Sequence, residues 1–170
     1  MAAMQHEPRI NPAWFPYDVG PEAPRRAFPG QPVMRPLLDV RLESSRGAPV
    51  TTKLLVDSGS EYTLVTKVFA RRLGILDLLS SDFSETILIG GQSLTAELFT
   101  VRIDVPSFDG YEATVGFVGN WTFAHSGVLG QRGFFDHFGV ILDRPNLRFG
   151  LVRTEDFDQA FPPEPSVRNG

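Results

Sequence analysis

The chain predicts an all-β, barrel-like domain with one or two short helices, and three observations predict it. Short apolar runs with a two-residue period recur at regular spacing along the sequence. Glycine, proline and aspartate clusters punctuate them as turn signals. The composition, with 14 Phe and 16 Gly in 170 residues, favours strands and tight turns over a helical bundle. With 42% hydrophobic and 21% charged residues, the chain has the mixture of one soluble globular domain with a sizeable core.

Residues 1–33 are dense in proline and keep neither a helical nor a strand period, so an extended arm without regular structure is expected. Trp14, Phe15, Tyr17 and Phe28 are costly to leave in water, so part of that arm should lie on the domain surface or across a partner subunit. The domain proper is expected over 34–153. Leu38, Val40 and Leu42 alternate with Asp39, Arg41 and Glu43, a strand with one wet face. Gly47-Ala48-Pro49 supplies a turn. Leu54, Leu55 and Val56 are apolar on consecutive positions, which predicts a strand buried on both faces that ends on Asp57. Thr63, Leu64 and Val65 predict another short strand. TKVFARRLGI then reads as a short helix, with Thr66 as N-cap and Gly74 as its stop.

SETILIGGQSLTAELFTVRIDVP reads as a long hairpin. Ile87, Leu88 and Ile89 enter it, and Gly90-Gly91 bends it, with Gln92-Ser93-Leu94 as an alternative tip. Phe99, Val101, Ile103 and Val105 alternate on the return, which Pro106 ends. After the turn Phe108-Asp109-Gly110, Tyr111, Ala113, Val115 and Phe117 form the next alternating strand. GVLGQRGFFDHFG should hold a short apolar strand, a glycine turn and one or two helical turns. GVILDRPNLRFGLV closes the domain as a hairpin turning on Arg144-Pro145-Asn146. Residues 154–170 are acidic and proline-bearing and read as a mobile tail.

Several function classes recede on these grounds. A net charge of −4 argues against nucleic acid, which selects a basic face. No apolar run is long enough to span a bilayer, and no signal-peptide pattern opens the chain. With no cysteine there are no disulfides, thiol nucleophiles or thiolate metal sites, a composition that fits a cytoplasmic protein. His6, His125 and His137 are scattered, so neither a metal nor another cofactor is expected. There is no G-x-S-x-G elbow, and Gly90-Gly91-Gln92-Ser93 lacks the ending of a phosphate loop. Phe134, Phe135 and Phe138 read as core or dimer packing, Arg71-Arg72 as a solvated helix face, Glu61 as exposed, and Asp136 and Asp143 as turn or cap residues.

Asp57-Ser58-Gly59-Ser60 is the tetrapeptide with the most chemistry. It puts a carboxylate at the mouth of a buried strand, a glycine that permits a tight backbone turn, and flanking hydroxyls that can fix the loop. The segment VDSGSEYTLVTKVFARRLGI resembles the active-site segment of retroviral-type aspartic proteases. Val128-Leu129-Gly130 resembles the apolar-apolar-Gly element that precedes a short helix in that family. Ile89-Gly90-Gly91-Gln92, between the two, resembles its glycine-bearing flap. The resemblance spans roughly residues 35–152 and is closest to the small bacterial retropepsin-like proteins, which share the LGQRGFF-like stretch and a closing turn of the form Leu142-Asp143-Arg144-Pro145. GNWTFAHSG, before Val128, has no role in that pattern.

The resemblance implies a retropepsin-like acid protease barrel and a mechanism. Two facing aspartates share one proton, because like charges at that distance cannot both ionise cheaply; paired carboxylates of aspartic proteases are the standard case of this effect. Asp57 is the only aspartate followed by Ser or Thr and then Gly, so the dyad would require two chains in a C2 homodimer. By the same resemblance the Ser58 hydroxyl would brace the loop across the dimer axis, Gly59 would bring its N–H to the carboxylates, and Ser60 would bond near Asp57. Gly90 and Gly91 would let the flap close over an extended peptide or protein substrate. The implied activity is that of an aspartic endopeptidase. The alternatives are a catalytically silent peptide- or protein-binding module of the same fold, and a protease whose proline-rich arm occupies its own cleft.

Overall fold

Alternation along Leu37–Glu43 (β4) buries Leu38, Val40 and Leu42 and leaves Asp39 and Arg41 in water, so this strand can only be the wall of a core. The computed structural model describes residues 11–80, 83–89 and 91–160. β4 pairs antiparallel with Val50–Val56 (β5). In β5, Leu54 and Val56 enter the main core while half-buried Leu55 packs on a second apolar cluster, which is why three consecutive apolar residues are needed there. Gly127–Leu129 (β10) lies parallel to the end of β5, followed by Leu64–Thr66 (β6), Tyr111–Val118 (β9) and Gln92–Asp104 (β8). β8 then pairs back onto β4 through Leu42 and Ile103, and six strands close into a barrel. Ser84–Ile89 (β7) hangs on the outer half of the long β8 and ends the sheet. The all-β expectation holds, with two short helices, Val68–Arg72 (α1) and Thr154–Ala160 (α2). Neither is long and apolar enough to cross a membrane.

A second sheet, Ala13–Pro16 (β1), Arg148–Arg153 (β12) and Phe138–Asp143 (β11), packs on the barrel and shares its core through Phe138, Phe149 and Leu151. Asp18–Val19 (β2) and Met34–Arg35 (β3) form a small ribbon beside it. The arm is therefore more regular than its prolines imply. Pro12 precedes β1 and Pro16 ends it, and β1 is an edge strand, where a missing N–H costs least. Its aromatics hold it down: Phe15 stacks on Phe149 at 5.5 Å and Tyr17 meets the same ring edge-on at 6.1 Å.

Three local expectations are corrected. Thr66 is the last residue of β6, in register with Val118, so Lys67 takes the N-cap position of α1, without a side-chain cap. Gly74, at φ +69°, does stop the chain after that helix. The stretch from Gly130 to His137, all of it described, forms turns in place of the expected helix. Gly133 sits at φ +90°, the Asp136 carboxylate accepts from its N–H at 3.0 Å, and the surrounding hydrogen bonds lack a helical ladder. Thr154–Ala160, read as mobile tail, is α2. Thr154 N–H donates to the His137 carbonyl at 3.0 Å, and Glu155 and Asp156 complement the positive end of the helix. The terminal stretches 1–10 and 161–170 lie outside the described residues.

Candidate active site

β5 delivers Asp57 to the barrel mouth, and two backbone bonds fix where it emerges. Val56 N–H donates to the Pro36 carbonyl at 2.9 Å, and Asp57 N–H to the Leu129 carbonyl at 3.0 Å. The chain then turns so that Gly59 N–H donates to Asp57 Oδ1 at 3.0 Å. A side chain at Gly59 would stand 3.2 Å from that same oxygen, so glycine keeps the approach open. Ser60 N–H returns to the Asp57 carbonyl at 3.2 Å, while its hydroxyl donates to the Tyr62 carbonyl at 2.8 Å. Ser60 thus bonds to Asp57 through its backbone, while its hydroxyl shapes the loop. Ser58 is exposed; its carbonyl accepts from Gln131 Nε2 at 2.7 Å.

Val128-Leu129-Gly130 is the counterpart that braces this loop. Val128 and Leu129 lie parallel to Leu55 and Val56, and Gly130 N–H donates to the buried Thr63 hydroxyl at 3.1 Å. Gln131 and Arg132 extend the contact through N–H bonds to the Ser60 and Glu61 carbonyls, both at 2.8 Å, and Arg132 lies over the Tyr62 ring. No local motif assigns Thr63, Gln131 or Arg132 to this site. The signal the sequence offers is a hydroxyl at the head of an apolar strand, and a GQR stretch that reads as part of a turn.

The hairpin β7–β8 covers one side of Asp57. Register pairs Ile89 with Gln92, and Gln92-Ser93-Leu94, the alternative tip, belongs to β8. Gly91 adopts φ +81°, a conformation glycine tolerates; Gly90 lies outside the described residues. Between loop and hairpin is a cleft of about 600 Å³, lined by Asp57, Tyr62 and Leu64 on one side and by Glu85, Ile87 and Leu88 on the other.

A second cleft, of about 590 Å³, opens on the far side of Asp57 and Ser58. Tyr17 and Glu22 of the arm wall it, together with Met34, Arg35, His125, Phe135 and Leu142. The described part of the arm thus lines this second cleft and none of the first. Glu22 pairs with Arg35 at 2.9 Å. Burial opposes the Glu22 charge, but hydrogen bonds from its own backbone and from Arg35 hold the carboxyl below its ordinary range. GNWTFAHSG, without a role in the sequence pattern, builds another wall. Trp121 donates its indole N–H to the His125 carbonyl, Phe123 stacks on the imidazole, and His125 Nδ1 lies 3.0 Å from the Gly127 carbonyl.

Burial lowers the His125 pKa, against the opposing effects of the Gly127 carbonyl and of the Glu22 and Asp57 charges; burial lowers His137 as well. A histidine depressed in the folded state binds its proton more readily when unfolded. Its contribution is thus intact above the ordinary value of about 6.5 and is lost as pH falls toward the folded pKa. Denaturant midpoints should therefore fall between pH 7 and 5, and less steeply in His125→Asn. An identical pH slope in wild type and variant would remove His125 from this role.

Two of the solved structures similar to this chain are retroviral protease-like or retropepsin-like. The retroviral protease-like domain of Ddi1 from Leishmania major matches at 15% identity over 56% of this chain and 72% of that chain, with a TM-score of 0.40. A retropepsin-like aspartic protease from Rickettsia conorii matches at 22% identity over 68% of this chain and 89% of that chain, with a TM-score of 0.46. No family model and no curated protein matches the sequence. In its own topology the fold is retropepsin-like: an Asp-Ser-Gly loop, a glycine-bent hairpin and an apolar-apolar-Gly strand succeed one another around one six-stranded barrel.

Proposed function

We propose that the chain is one protomer of an aspartic endopeptidase whose catalytic dyad is Asp57 and the same residue of a second copy. One observation carries this reading: a carboxylate held by a backbone N–H stands at the mouth of a cleft roofed by a hairpin. Within one protomer the loop supplies half of an acid–base pair. A two-fold axis beside Ser58 would supply the other half. One carboxylate, ionised, takes a proton from water as that water attacks the scissile carbonyl. The other, protonated, donates to the carbonyl oxygen. Collapse of the tetrahedral species passes a proton to the leaving nitrogen and restores the shared-proton state. An extended peptide would lie along β7, whose outer edge ends the sheet and offers main-chain groups for pairing.

Because each chain holds half a site, activity per chain should rise with protein concentration until dimerisation saturates. Peptide hydrolysis and sedimentation velocity across one dilution series should give the same midpoint. Full activity at concentrations where only monomer sediments would overturn the shared dyad. Peptide binding by an established dimer without hydrolysis would select the silent binding module instead.

A further inference from the structure

The cleft beside Asp57 carries a charge pattern that the acid–base chemistry does not use. β7 has one charged residue, Glu85. Cross-strand register places Glu85 opposite Ala96 and Ile87 opposite Leu94, and cross-strand partners share a face. Ile87, Leu94 and Ala96 are all buried in the second apolar cluster with Leu64, so Glu85 lies on the cluster side of the hairpin, at its border with the cleft. It is exposed, and its side chain forms no hydrogen bond or ion pair among the described residues. Tyr62 and Leu64 stand on the facing wall, beside the polar Asp57 loop. Glu61 also lines the cleft, but Arg132 stands 3.7 Å from its carboxylate. Among the described residues no lysine or arginine lines this cleft, whereas Arg35 and Arg144 line the one on the far side of Asp57.

A substrate side chain entering here meets apolar surface from Tyr62, Leu64, Ile87 and Leu88, interrupted by the polar groups of the Asp57 loop, and then an unpaired carboxylate at the border. Lysine and arginine match that order, since their aliphatic stems cover apolar surface while the charged head reaches out. We infer that Glu85 is a specificity-determining residue, selecting a peptide with a basic, long-stemmed side chain close to the scissile bond. This rests on the reading of the cleft as the substrate site. An attraction at a partly open position is modest, a preference of about fivefold, and it weakens with salt.

The test uses peptides in which each position in turn is Lys or norleucine, an uncharged side chain with a similar stem. Each is made in a cleavable form and in a reduced-amide form that cannot be cut. Fluorescence anisotropy on the full-length dimer gives Kd for the uncleavable set, and hydrolysis gives kcat and KM for the other. Wild type should prefer Lys at one position by about fivefold, chiefly in Kd and KM. Glu85→Gln should bring that ratio near one, and Glu61→Gln should retain most of it. No Lys preference in wild type, or an unchanged ratio in Glu85→Gln, overturns the inference while cleavage itself still supports the protease. Lys-selective binding without hydrolysis does the reverse, upholding the inference and overturning proteolysis. Neither binding nor hydrolysis of any peptide overturns both.

Discussion

Asp57→Asn is expected to abolish measurable peptide hydrolysis, a loss of at least about 10²–10⁴-fold, while the chain keeps its fold. The substitution is close to isosteric. An asparagine Oδ1 can still accept from Gly59 N–H, the one hydrogen bond that side chain makes among the described residues. What disappears is a group able to take a proton from water and return it. Circular dichroism and thermal unfolding should therefore stay near wild type while turnover vanishes. The half-site arrangement adds a sharper readout. If Asp57→Asn chains exchange into dimers with wild type, an equal mixture retains about one quarter of its dimers with two aspartates. Added variant should then depress activity below that of the wild-type chains alone, toward about half of it, once subunits have exchanged. A variant that cleaves at the wild-type rate ends the assignment. A mixture in which the wild-type contribution is unaffected ends the shared dyad and leaves Asp57 to be explained within one protomer.

The parts of this molecule legible in the sequence are those where one short segment determines the outcome. Strict alternation in β4 and β9 reports a single buried face, and burial follows it: Tyr111, Ala113, Val115 and Phe117 are inside, and Glu112 and Thr114 are outside. Leu54, Leu55 and Val56 report a strand with apolar neighbours on both sides, because β5 separates two clusters. The less legible parts depend on partners distant in the chain. β1 exists because Phe15 and Tyr17 find Phe149, more than 130 residues away, and tertiary burial overrides the local effect of the prolines. The helix expected after Gly130 gives way to turns, since Gly133 at φ +90° and the Asp136 bond to its N–H divert the backbone. Within the site, Asp57 could be picked out from its tetrapeptide. The bond from Gly130 to Thr63 joins positions 67 apart, a distance no local motif reports.

Gly130 tests whether that long-range brace matters. Its φ is not in the left-handed region, so the reason for glycine is space rather than backbone freedom. A Cβ there would stand 2.2 Å from the Tyr62 carbonyl oxygen, 2.4 Å from its carbon and 2.8 Å from the Ser60 carbonyl oxygen. All three are backbone atoms, so no side chain can rotate away to relieve the overlap. Either the 57–63 loop or β10 must move. β10 is held by pairing to both β5 and β6, and the buried Thr63 hydroxyl fastens the junction. Gly130→Ala should therefore cost about 3 kcal/mol or more in denaturant unfolding, at the upper end of overpacking effects. Chains that still fold should show a depressed kcat, because the displaced Ser60 carbonyl belongs to the residue whose N–H returns to the Asp57 carbonyl. Gly91 is the control. It has φ +81° and nothing within 4 Å of where a Cβ would stand, so Gly91→Ala incurs only the strain of a left-handed alanine, about 1–2 kcal/mol. A wild-type unfolding midpoint in Gly130→Ala would show that the loop yields freely there. The position of Asp57 would then have to be credited to the two bonds at the end of β5, from Val56 N–H to Pro36 and from Asp57 N–H to Leu129, and not to the close packing of Gly130 against the loop.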